Sequence, residues 1–341
     1  MILITGATGL LGSHLTYHLL KQGHQVRLLI RNEARKNRLS KTFSFYNASL
    51  SDFENQIQYA EGDVTDVYSI ENAMADDIDI VFHCAGLVSF SPLDKRKLLN
   101  INQEGTENMI NASLEANVKK FVYVSSIAAL GESTSPMINE HNQHFEYNPT
   151  SVYGNSKHYA ELEVWRGVEE GLDAVIVNPT VIVGPGEWDQ GSPRFFRTVW
   201  KGMPFFTTGS TGFVDVRDVC KIMSDLAFSE VKNQQFILNN ENLNYKQFFS
   251  MVADQLSVRR PRFEAQPWMM YAMAGVVGFF SKITRRPAQI NSDTAVSAFT
   301  QTLYDNSKIQ ETLQTNLKGI EEAISFTANC FLQDVKKTSA E

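Results

Sequence analysis

The sequence predicts an α/β protein built on a doubly wound parallel sheet, and three observations lead to this fold class. Short β-branched runs alternate with amphipathic segments of helical periodicity. The runs are continuously apolar, as expected for strands of a parallel sheet that helices cover on both faces. A glycine-rich turn follows the first run and opens a helix. The predicted strands lie near residues 1–5, 25–30, 57–60, 79–84, 120–126 and 173–178.

The character of the chain changes after residue 178. It becomes rich in glycine, proline and aromatic residues before strand and helix patterns resume. We therefore expect a first domain over residues 1–178, whose sheet is revisited at about 212–240. A smaller C-terminal α/β lobe is expected from residues 179–211 and 241–341.

Composition and charge exclude several classes of partner. The formal charge is −7 and no run of Lys or Arg is long enough to follow a phosphate backbone, so we expect no nucleic-acid partner. The three cysteines are far apart and lack metal-ligand spacing, which indicates no metal site and reduced thiols in the cytoplasm. A strand at the first residues leaves no room for a secretion leader. The apolar stretch Trp268 to Phe280 has 13 residues, whereas a membrane span needs roughly 20, so we expect a buried or interfacial helix there.

The turn after the first strand carries the clearest binding signal. Gly6, Gly9 and Gly12 stand three residues apart where a strand passes into a helix. Glycine suits a turn with positive φ and a close approach of backbone to pyrophosphate, and the helix N-terminus offers N–H groups to the anion. The spacing G-x-x-G-x-x-G is a variant of the dinucleotide fingerprint, and its alternative is a tight turn without a ligand. The candidate cofactor-binding residues of this turn are Gly6, Thr8, Gly9, Leu10, Leu11 and Gly12.

Further cofactor contacts are predicted where the next strands end. Arg31 follows the second strand, where a site selective for NAD usually has an acidic residue. Its guanidinium favours a 2′-phosphate and hence NADP(H), unless it only begins a solvated basic loop. After the third strand, Asp63 and Val64 can contact the adenine, although Asp63 could instead be a helix N-cap. Ala85 and Gly86 end the fourth strand with small residues that leave space for the cofactor.

A phenol and an ammonium stand four residues apart in Tyr153-Gly-Asn-Ser-Lys157, hence on one face of a helix. The reference pKa of tyrosine is near 10. A nearby ammonium, helped by an oxidised nicotinamide ring, stabilises the phenolate and allows proton exchange with a carbonyl or alcohol near neutral pH. Ser126, at the end of the fifth strand, can hydrogen-bond the same substrate oxygen.

The same Tyr-to-Lys spacing occurs twice more in the chain. Tyr17 and Lys21 lie in the helix after the glycine turn, and Tyr304 and Lys308 lie in the C-terminal part. We interpret both pairs as solvated helix or loop residues, because neither lies downstream of a strand that ends in serine. The helix with Tyr153 follows the fifth strand, so its face can reach the carboxyl ends of the strands, where such sheets bind ligands.

Together these motifs resemble the extended short-chain dehydrogenase/reductase family over nearly the whole chain. The resemblance implies a Rossmann-type core, a C-terminal substrate lobe and an NAD(P) cofactor. It implies that Tyr153 is the acid/base, Lys157 its electrostatic partner and ribose ligand, and Ser126 the oxygen-binding residue. It also implies a homodimer that pairs through helices near residues 95–116 and 151–170. The motifs that carry it are Thr5-Gly6-x-x-Gly9-x-x-Gly12, Asp63-Val64, Ala85-Gly86, Asn102, Ser126, Tyr153-x-x-x-Lys157 and Pro179.

Within the family, Arg31 and the stretch from Ile176 to Pro185 resemble the branch of dihydroflavonol reductases, cinnamoyl-CoA reductases and hydroxysteroid dehydrogenases. The sugar-nucleotide epimerases usually have an arginine where this chain has Asn178. By the same resemblance Asn102 is the family's structural, water-holding asparagine, although a polar residue that caps a helix is an alternative.

Three functions follow for a small-molecule substrate. The leading one is an NADP(H)-dependent carbonyl reductase or alcohol dehydrogenase for a fairly apolar ketone, aldehyde or secondary alcohol, with NAD(H) as the alternative cofactor. The second is a nucleotide-sugar epimerase or dehydratase. The third is a non-catalytic NADP-sensing regulator, and the set of Ser126, Tyr153 and Lys157 speaks against it because a sensor needs no proton donor.

The segment from Thr180 to Phe213 is expected to line the substrate pocket. Arg194 and Arg197 are three residues apart on one helix face, where they could clamp a phosphate. We expect instead that they lie on a solvated face, opposite an inward stripe that favours apolar contact. The apolar residues of this segment are Val181, Trp188, Phe195, Phe196, Val199, Trp200, Met203, Phe205 and Phe206.

Overall fold

The computed structural model describes residues 1–75, 78–131, 137–141, 151–269, 298–317 and 319–340. Its strands in chain order are β1 (Ile2–Thr5), β2 (Val26–Ile30), β3 (Ile57–Glu61), β4 (Ile80–His83), β5 (Lys120–Val124), β6 (Met137–Ile138), β7 (Ala174–Pro179), β8 (Val181–Val183), β9 (Phe205–Phe206), β10 (Ser210–Asp215), β11 (Gln234–Leu238), β12 (Glu241–Asn244), β13 (Phe263–Glu264) and β14 (Leu303–Tyr304). Its helices are α1 (Leu10–Lys21), α2 (Lys36–Ser44), α3 (Val67–Met74), α4 (Lys95–Leu98), α5 (Gly105–Glu115), α6 (Val152–Glu169), α7 (Arg194–Trp200), α8 (Val216–Ala227), α9 (Tyr245–Gln255), α10 (Ser307–Leu313) and α11 (Glu321–Ala340).

A seven-stranded parallel sheet in the order β11-β7-β5-β4-β1-β2-β3 forms the centre of the fold. The chain moves outward from β1 to β3, returns to β4 on the other side of β1, and then continues outward to β11. Because the winding reverses between β1 and β4, the loops after these two strands diverge and leave a crevice at the carboxyl ends. The predicted doubly wound parallel sheet is confirmed.

Helices cover both faces of this sheet, as its continuously apolar strands predict. Successive side chains of a strand point to opposite faces. Ile4 therefore packs in one core with residues of α1, α2 and α8, whereas Leu3 packs in a second core with residues of α3, α5 and α6. Burial of each such side chain contributes roughly 1.5–3 kcal/mol to folding, so the alternation holds the register of the strands that are buried on both faces.

The sheet returns late in the chain, within the predicted stretch of about 212–240. Strand β11 pairs in parallel with β7 and extends the central sheet by one strand. The start of the stretch does not join the central sheet, because β10 belongs to a three-stranded sheet with β8 and β12. Between these two strands, α8 packs against α1 on the face of the central sheet.

A third core, rich in aromatic residues, lies in the C-terminal part and corrects the prediction for residues 180–213. Trp188, Phe196 and Val199 are buried here among side chains of α9 and α11. They therefore pack in the core of the lobe and are not exposed to solvent. Trp200 is 40% exposed, so it does not continue the predicted inward stripe.

Three further expectations are wrong in detail. The predicted basic loop that starts at Arg31 is instead a short 3₁₀ turn followed by α2. Tyr17 is partly buried, because its ring stacks on Tyr46 and meets Phe43 edge-on. Tyr304 lies in β14, which pairs with β6, and the ammonium of the nearby Lys308 donates to a backbone carbonyl of β11.

The apolar stretch Trp268 to Phe280 lies outside the described residues from position 270 onward, so the expected helix is not described. Across the ranges that the structure does describe, none of the helices combines the length and apolarity that crossing a bilayer requires.

Candidate active site

The glycine turn between β1 and α1 lies against the loop that follows β4. Gly6 has φ +65°, and a Cβ there would come within 2.6 Å of the Ala85 nitrogen and of the Cys84 carbonyl. A Cβ at Gly12 would meet the carbonyl of Gly6. Over the fully described residues 9–21, no side chain caps the helix and its first turn holds no acidic residue. The first amides of α1 therefore remain available to an anion at the crevice.

His83 fixes the position of the β4 end. The Thr106 hydroxyl donates to the Asn102 carbonyl, so its oxygen accepts from His83 Nε2 at 3.1 Å. Nδ1 of the ring then accepts from the Thr5 hydroxyl, 2.7 Å away, and Thr5 Oγ1 accepts from the Ala85 amide. Burial lowers the pKa of His83 to about 3, so it is a neutral histidine of the core.

The carboxyl end of β2 is rich in positive charge. Arg31 is half exposed, and its guanidinium lies 3.9 Å from a carboxylate oxygen of Asp63. Burial lowers the pKa of Arg35, the charges of Arg31 and Arg38 lower it further, and the Asp63 carboxylate opposes the shift. Three guanidinium groups and one carboxylate therefore gather where the ribose of a dinucleotide would lie.

The turn after β3 is held in place by hydrogen bonds within the turn and by contacts with α5. Asp63 is not a helix N-cap, because Asp66 occupies the N-cap position of α3 and Asp63 accepts hydrogen bonds from the amide and hydroxyl of Thr65. The Val64 side chain is buried in the core, and its carbonyl accepts from Asn108 Nδ2 at 3.0 Å. This turn is thus tied to α5 by both its side chain and its backbone.

Tyr153 lies one residue inside α6, against the turn that follows β5. Ser126 begins this turn, and its Oγ accepts from the Ala128 amide at 3.2 Å. A Cβ at Gly154 would come within 2.6 Å of the Ala128 carbonyl, so the absence of a side chain there lets α6 pack closely. Burial raises the pKa of Tyr153 to about 12, and a hydrogen bond with the Ser126 side chain opposes this shift.

Lys157 lies one turn further along α6 and is buried. Its ammonium donates to the Tyr123 hydroxyl at 3.0 Å and to the Val124 carbonyl at 2.7 Å. Burial lowers the pKa of Lys157 to about 8. The stabilisation of the Tyr153 phenolate by Lys157 and an oxidised nicotinamide ring stays a prediction; in the structure burial sets the direction of the Tyr153 pKa shift, and the Lys157 ammonium contacts the end of β5. A Cβ at Gly86 would lie 3.6 Å from this ammonium, so Gly86 keeps the space beside it open.

Asn102 lies in a π-helical turn, Leu99–Glu104, between α4 and α5. Its Oδ1 accepts from the Leu87 amide at 2.7 Å, and its Nδ2 donates to the Leu87 carbonyl and to Ser156 Oγ. The side chain therefore ties the loop after β4 to α6. The alternative that Asn102 caps a helix is wrong, and no sequence signal identified Leu87 or Ser156 as its partners.

The remaining predicted residues lie further out or serve the sheet. Pro179 is buried at the end of β7, beside the last residue of β11. Arg194 begins α7 and is exposed, whereas Arg197 forms an ion pair with Asp189. Phe90, which the sequence did not indicate, meets the Tyr153 ring edge-on at 5.7 Å.

The fold and this site together define an NAD(P)-dependent oxidoreductase of the extended short-chain dehydrogenase/reductase type. The model of the NAD-dependent epimerase/dehydratase family matches residues 2–237, and the chain belongs to this family. The resemblance seen in the sequence is thereby confirmed.

Individual relatives agree with this assignment. Sterol demethylase protein B of Methylococcus capsulatus is 29% identical over 276 residues, which cover 80% of this chain and 79% of that protein. A Synechocystis sp. protein named as a dihydroflavonol 4-reductase is 26% identical over 341 residues, with 96% and 93% of the two chains covered. The crystal structure of gox2253 is similar with a TM-score of 0.77 at 25% identity, over 98% of both chains.

Proposed function

We propose that this protein is an NADP(H)-dependent carbonyl reductase or alcohol dehydrogenase for a fairly apolar ketone, aldehyde or secondary alcohol. The observation that carries the proposal is the hydrogen-bonded pair of Ser126 and Tyr153, with the Lys157 ammonium one turn along the same helix. Two adjacent hydroxyl groups can hold a carbonyl oxygen and deliver a proton to it.

The glycine turn fits a dinucleotide, because its backbone is free of side chains and opens onto the first amides of α1. In this proposal residues 1–178, with the returning sheet at 212–240, bind the cofactor, and residues 179–211 and 241–341 bind the substrate. When bound, the nicotinamide supplies or accepts a hydride. The cofactor-binding residues are Gly6, Thr8, Gly9, Leu10, Leu11, Gly12, Arg31, Asp63, Val64, Ala85, Gly86, Tyr153, Lys157 and Pro179.

Proton transfer is assigned to Tyr153. A pKa of about 12 keeps its phenol protonated at neutral pH, so it can donate to the oxygen of a ketone or aldehyde. This state suits reduction. In the reverse direction Tyr153 must first lose its proton, which the positive charges of Lys157 and of an oxidised nicotinamide ring favour. Ser126 holds the substrate oxygen, and Asn102 supports the site by fixing the backbone around Leu87.

A preference for NADP(H) over NAD(H) is supported by the charges at the end of β2. The positive charges of Arg31 and Arg38 lower the pKa of Arg35 there, and the Asp63 carboxylate opposes this shift and lies 3.9 Å from Arg31. A 2′-phosphate carries the charge that such a group of guanidinium side chains binds best.

An apolar substrate is supported by the loop after β4. Phe90 is 43% exposed beside Tyr153, and Val88 on the same loop is 60% exposed. Leu87 packs against the cluster that contains Tyr153. The proposal of an apolar substrate therefore rests on these side chains and not on the aromatic residues of 180–213. The names of two relatives, which refer to a sterol and to a dihydroflavonol, agree with such a substrate.

The second candidate is a nucleotide-sugar epimerase or dehydratase. The observation that favours it is the exposed Arg194 on the same helix as Arg197, although Arg197 already pairs with Asp189. A diphosphate taken out of water needs clustered cationic donors. The third candidate, a non-catalytic NADP-sensing regulator, does not account for the Ser126 and Tyr153 pair.

Thermal shift with NADPH present separates these candidates. Hydroxysteroids, flavonoid-like ketones or aromatic aldehydes should raise the melting temperature, and Phe90→Ala should reduce that gain. Phe228→Ala is the matched control, because Phe228 is 50% exposed but lies beyond the end of α8. Stabilisation by a UDP- or dTDP-sugar that is lost in Arg194→Ala or Arg197→Ala would overturn the reductase in favour of the epimerase.

We further propose a cytoplasmic homodimer. The predicted pairing helices near residues 95–116 and 151–170 correspond to α5 and α6, which pack side by side against the sheet. Leu162 on α6 is 49% exposed, which gives this face an apolar contact for a second copy.

A further inference from the structure

A buried carboxyl group lies on α6 behind the proposed catalytic residues. Glu161 follows Lys157 by four residues and Tyr153 by eight, so the three side chains share one face of the helix. Glu161 is only 5% exposed. Acidic side chains are almost never buried to this extent unless they are paired, so its partners indicate its role.

One side chain on β7 links Glu161 to Ser126. Asn178 Nδ2 donates to Glu161 Oε1 at 2.7 Å and to the Ser126 carbonyl at 2.9 Å. Gln235 on β11 donates to Asn178 Oδ1 at 2.9 Å. Because Gln235 occupies the amide oxygen, it orients the amide nitrogen of Asn178 toward Glu161 and Ser126.

Charge links Glu161 to Lys157 as well. Burial raises the pKa of Glu161 to about 7, and several hydrogen bonds and the positive charge of Lys157 oppose this rise. In turn, burial lowers the pKa of Lys157, and the negative charge of the Glu161 carboxylate opposes that lowering. The polar groups that face this pair are His83 and Cys84 at the end of β4, Tyr123 on β5, Ser125 after β5, Asn178 on β7 and Gln235 on β11.

We propose that Glu161 is a positioning residue for the reaction: its carboxylate keeps the Lys157 ammonium charged and, through Asn178, holds Ser126 beside Tyr153. The inference rests on the proposed function, because it assigns Lys157 and Ser126 their catalytic roles. An ammonium buried without a carboxylate loses its proton more readily. Glu161 thus sets the upper end of the pH range in which the site works.

The pH dependence of kcat tests this role. In Glu161→Gln, which keeps the size of the side chain, the alkaline fall in kcat should begin about one pH unit lower. KM and cofactor affinity should stay within about two-fold, since Glu161 contacts neither ligand. Glu161→Asp should restore the wild-type position of the alkaline limb. The matched control is Glu169→Gln, at an exposed position near the end of α6. A kcat of Glu161→Gln that is lower at every pH, with an alkaline fall at the same pH as in the wild type, would overturn the inference.

A titration without substrate distinguishes failure of the inference from failure of the proposed function. In the protein labelled with ¹³C at the glutamate carboxyl carbons, the resonance absent from Glu161→Gln reports the pKa of Glu161. Lys157→Met should raise this pKa by about one unit or more, because it removes a nearby positive charge. An unchanged pKa would refute the coupling whatever the enzyme catalyses. Full activity of Tyr153→Phe would instead refute the proposed function and leave the measured coupling in place.

Discussion

His14 on α1 donates a hydrogen bond from Nε2 to the carbonyl of Pro185, 2.8 Å away. This hydrogen bond connects α1 to the segment that follows β8. Because a carbonyl only accepts, Nε2 carries the proton and Nδ1 accepts from the Tyr46 hydroxyl at 2.6 Å. Burial lowers the pKa of His14 to about 4.

We expect this histidine to make the fold sensitive to acid. Its pKa is near 6.5 in the unfolded chain and about 4 in the folded one, so the unfolded state binds more protons between these values. The contribution of His14 to the free energy of unfolding is fully present above about pH 6.5 and is lost as the pH falls toward 4. By pH 5 this loss is about 2 kcal/mol. His83 adds to the loss, because its pKa is also lowered.

Urea unfolding at about pH 7.5 and about pH 5 checks this prediction. His14→Gln keeps a donor for Pro185 but does not titrate, so its free energy of unfolding should fall less between the two pH values. His141→Gln at an exposed position should behave like the wild type. An equal fall in His14→Gln and the wild type would show that His14 does not carry the effect.

NADPH should bind more tightly than NADH, and Arg31→Ala should narrow the difference. A charge-assisted contact to phosphate contributes about 1.5–3 kcal/mol, which corresponds to roughly 10- to 150-fold in affinity. Calorimetric titration of the two cofactors measures the difference directly. Arg166→Ala is the control, because Arg166 pairs with Glu163 and Glu170 on α6 and should leave both affinities unchanged. Equal affinities in the wild type would contradict the assignment.

The protein should have a dimeric mass at micromolar concentration. Leu162→Glu places a charge on the exposed apolar face of α6 and should shift the mass toward that of the monomer. Light scattering measures both masses. Tyr68→Glu serves as the control, because Tyr68 is 78% exposed on α3, away from α6. A monomeric mass for the wild type would contradict the proposed homodimer.

The sequence was sufficient for most strands of the central sheet, because these strands depend on local patterns. Apolar runs marked β1, β4, β5 and β7, whereas β3 is an edge strand with polar and partly exposed residues. The glycine turn could be interpreted because Gly6 needs positive φ, a constraint that acts within the turn itself.

Contacts between distant parts of the chain could not be predicted in this way. The aromatic side chains of 180–213 looked like a pocket, but residues more than 100 positions later, such as Phe331, bury Trp188. Asn178 was noted only as the absence of an arginine, because its bond to Glu161 depends on how α6 lies over β7. The pKa of Tyr153 depends on total burial, which spacing along one helix does not reveal.

The central claim is that Tyr153 transfers the proton when an apolar carbonyl is reduced with NADPH. The measurement is the rate of NADPH oxidation with such a ketone or aldehyde, for the wild type, Tyr153→Phe and Tyr17→Phe. We predict that Tyr153→Phe lowers kcat by about 10²- to 10⁴-fold while NADPH affinity stays within a few-fold. Tyr17→Phe should retain full activity, because the ring that packs against Tyr46 is kept. A Tyr153→Phe variant with undiminished kcat would contradict the account.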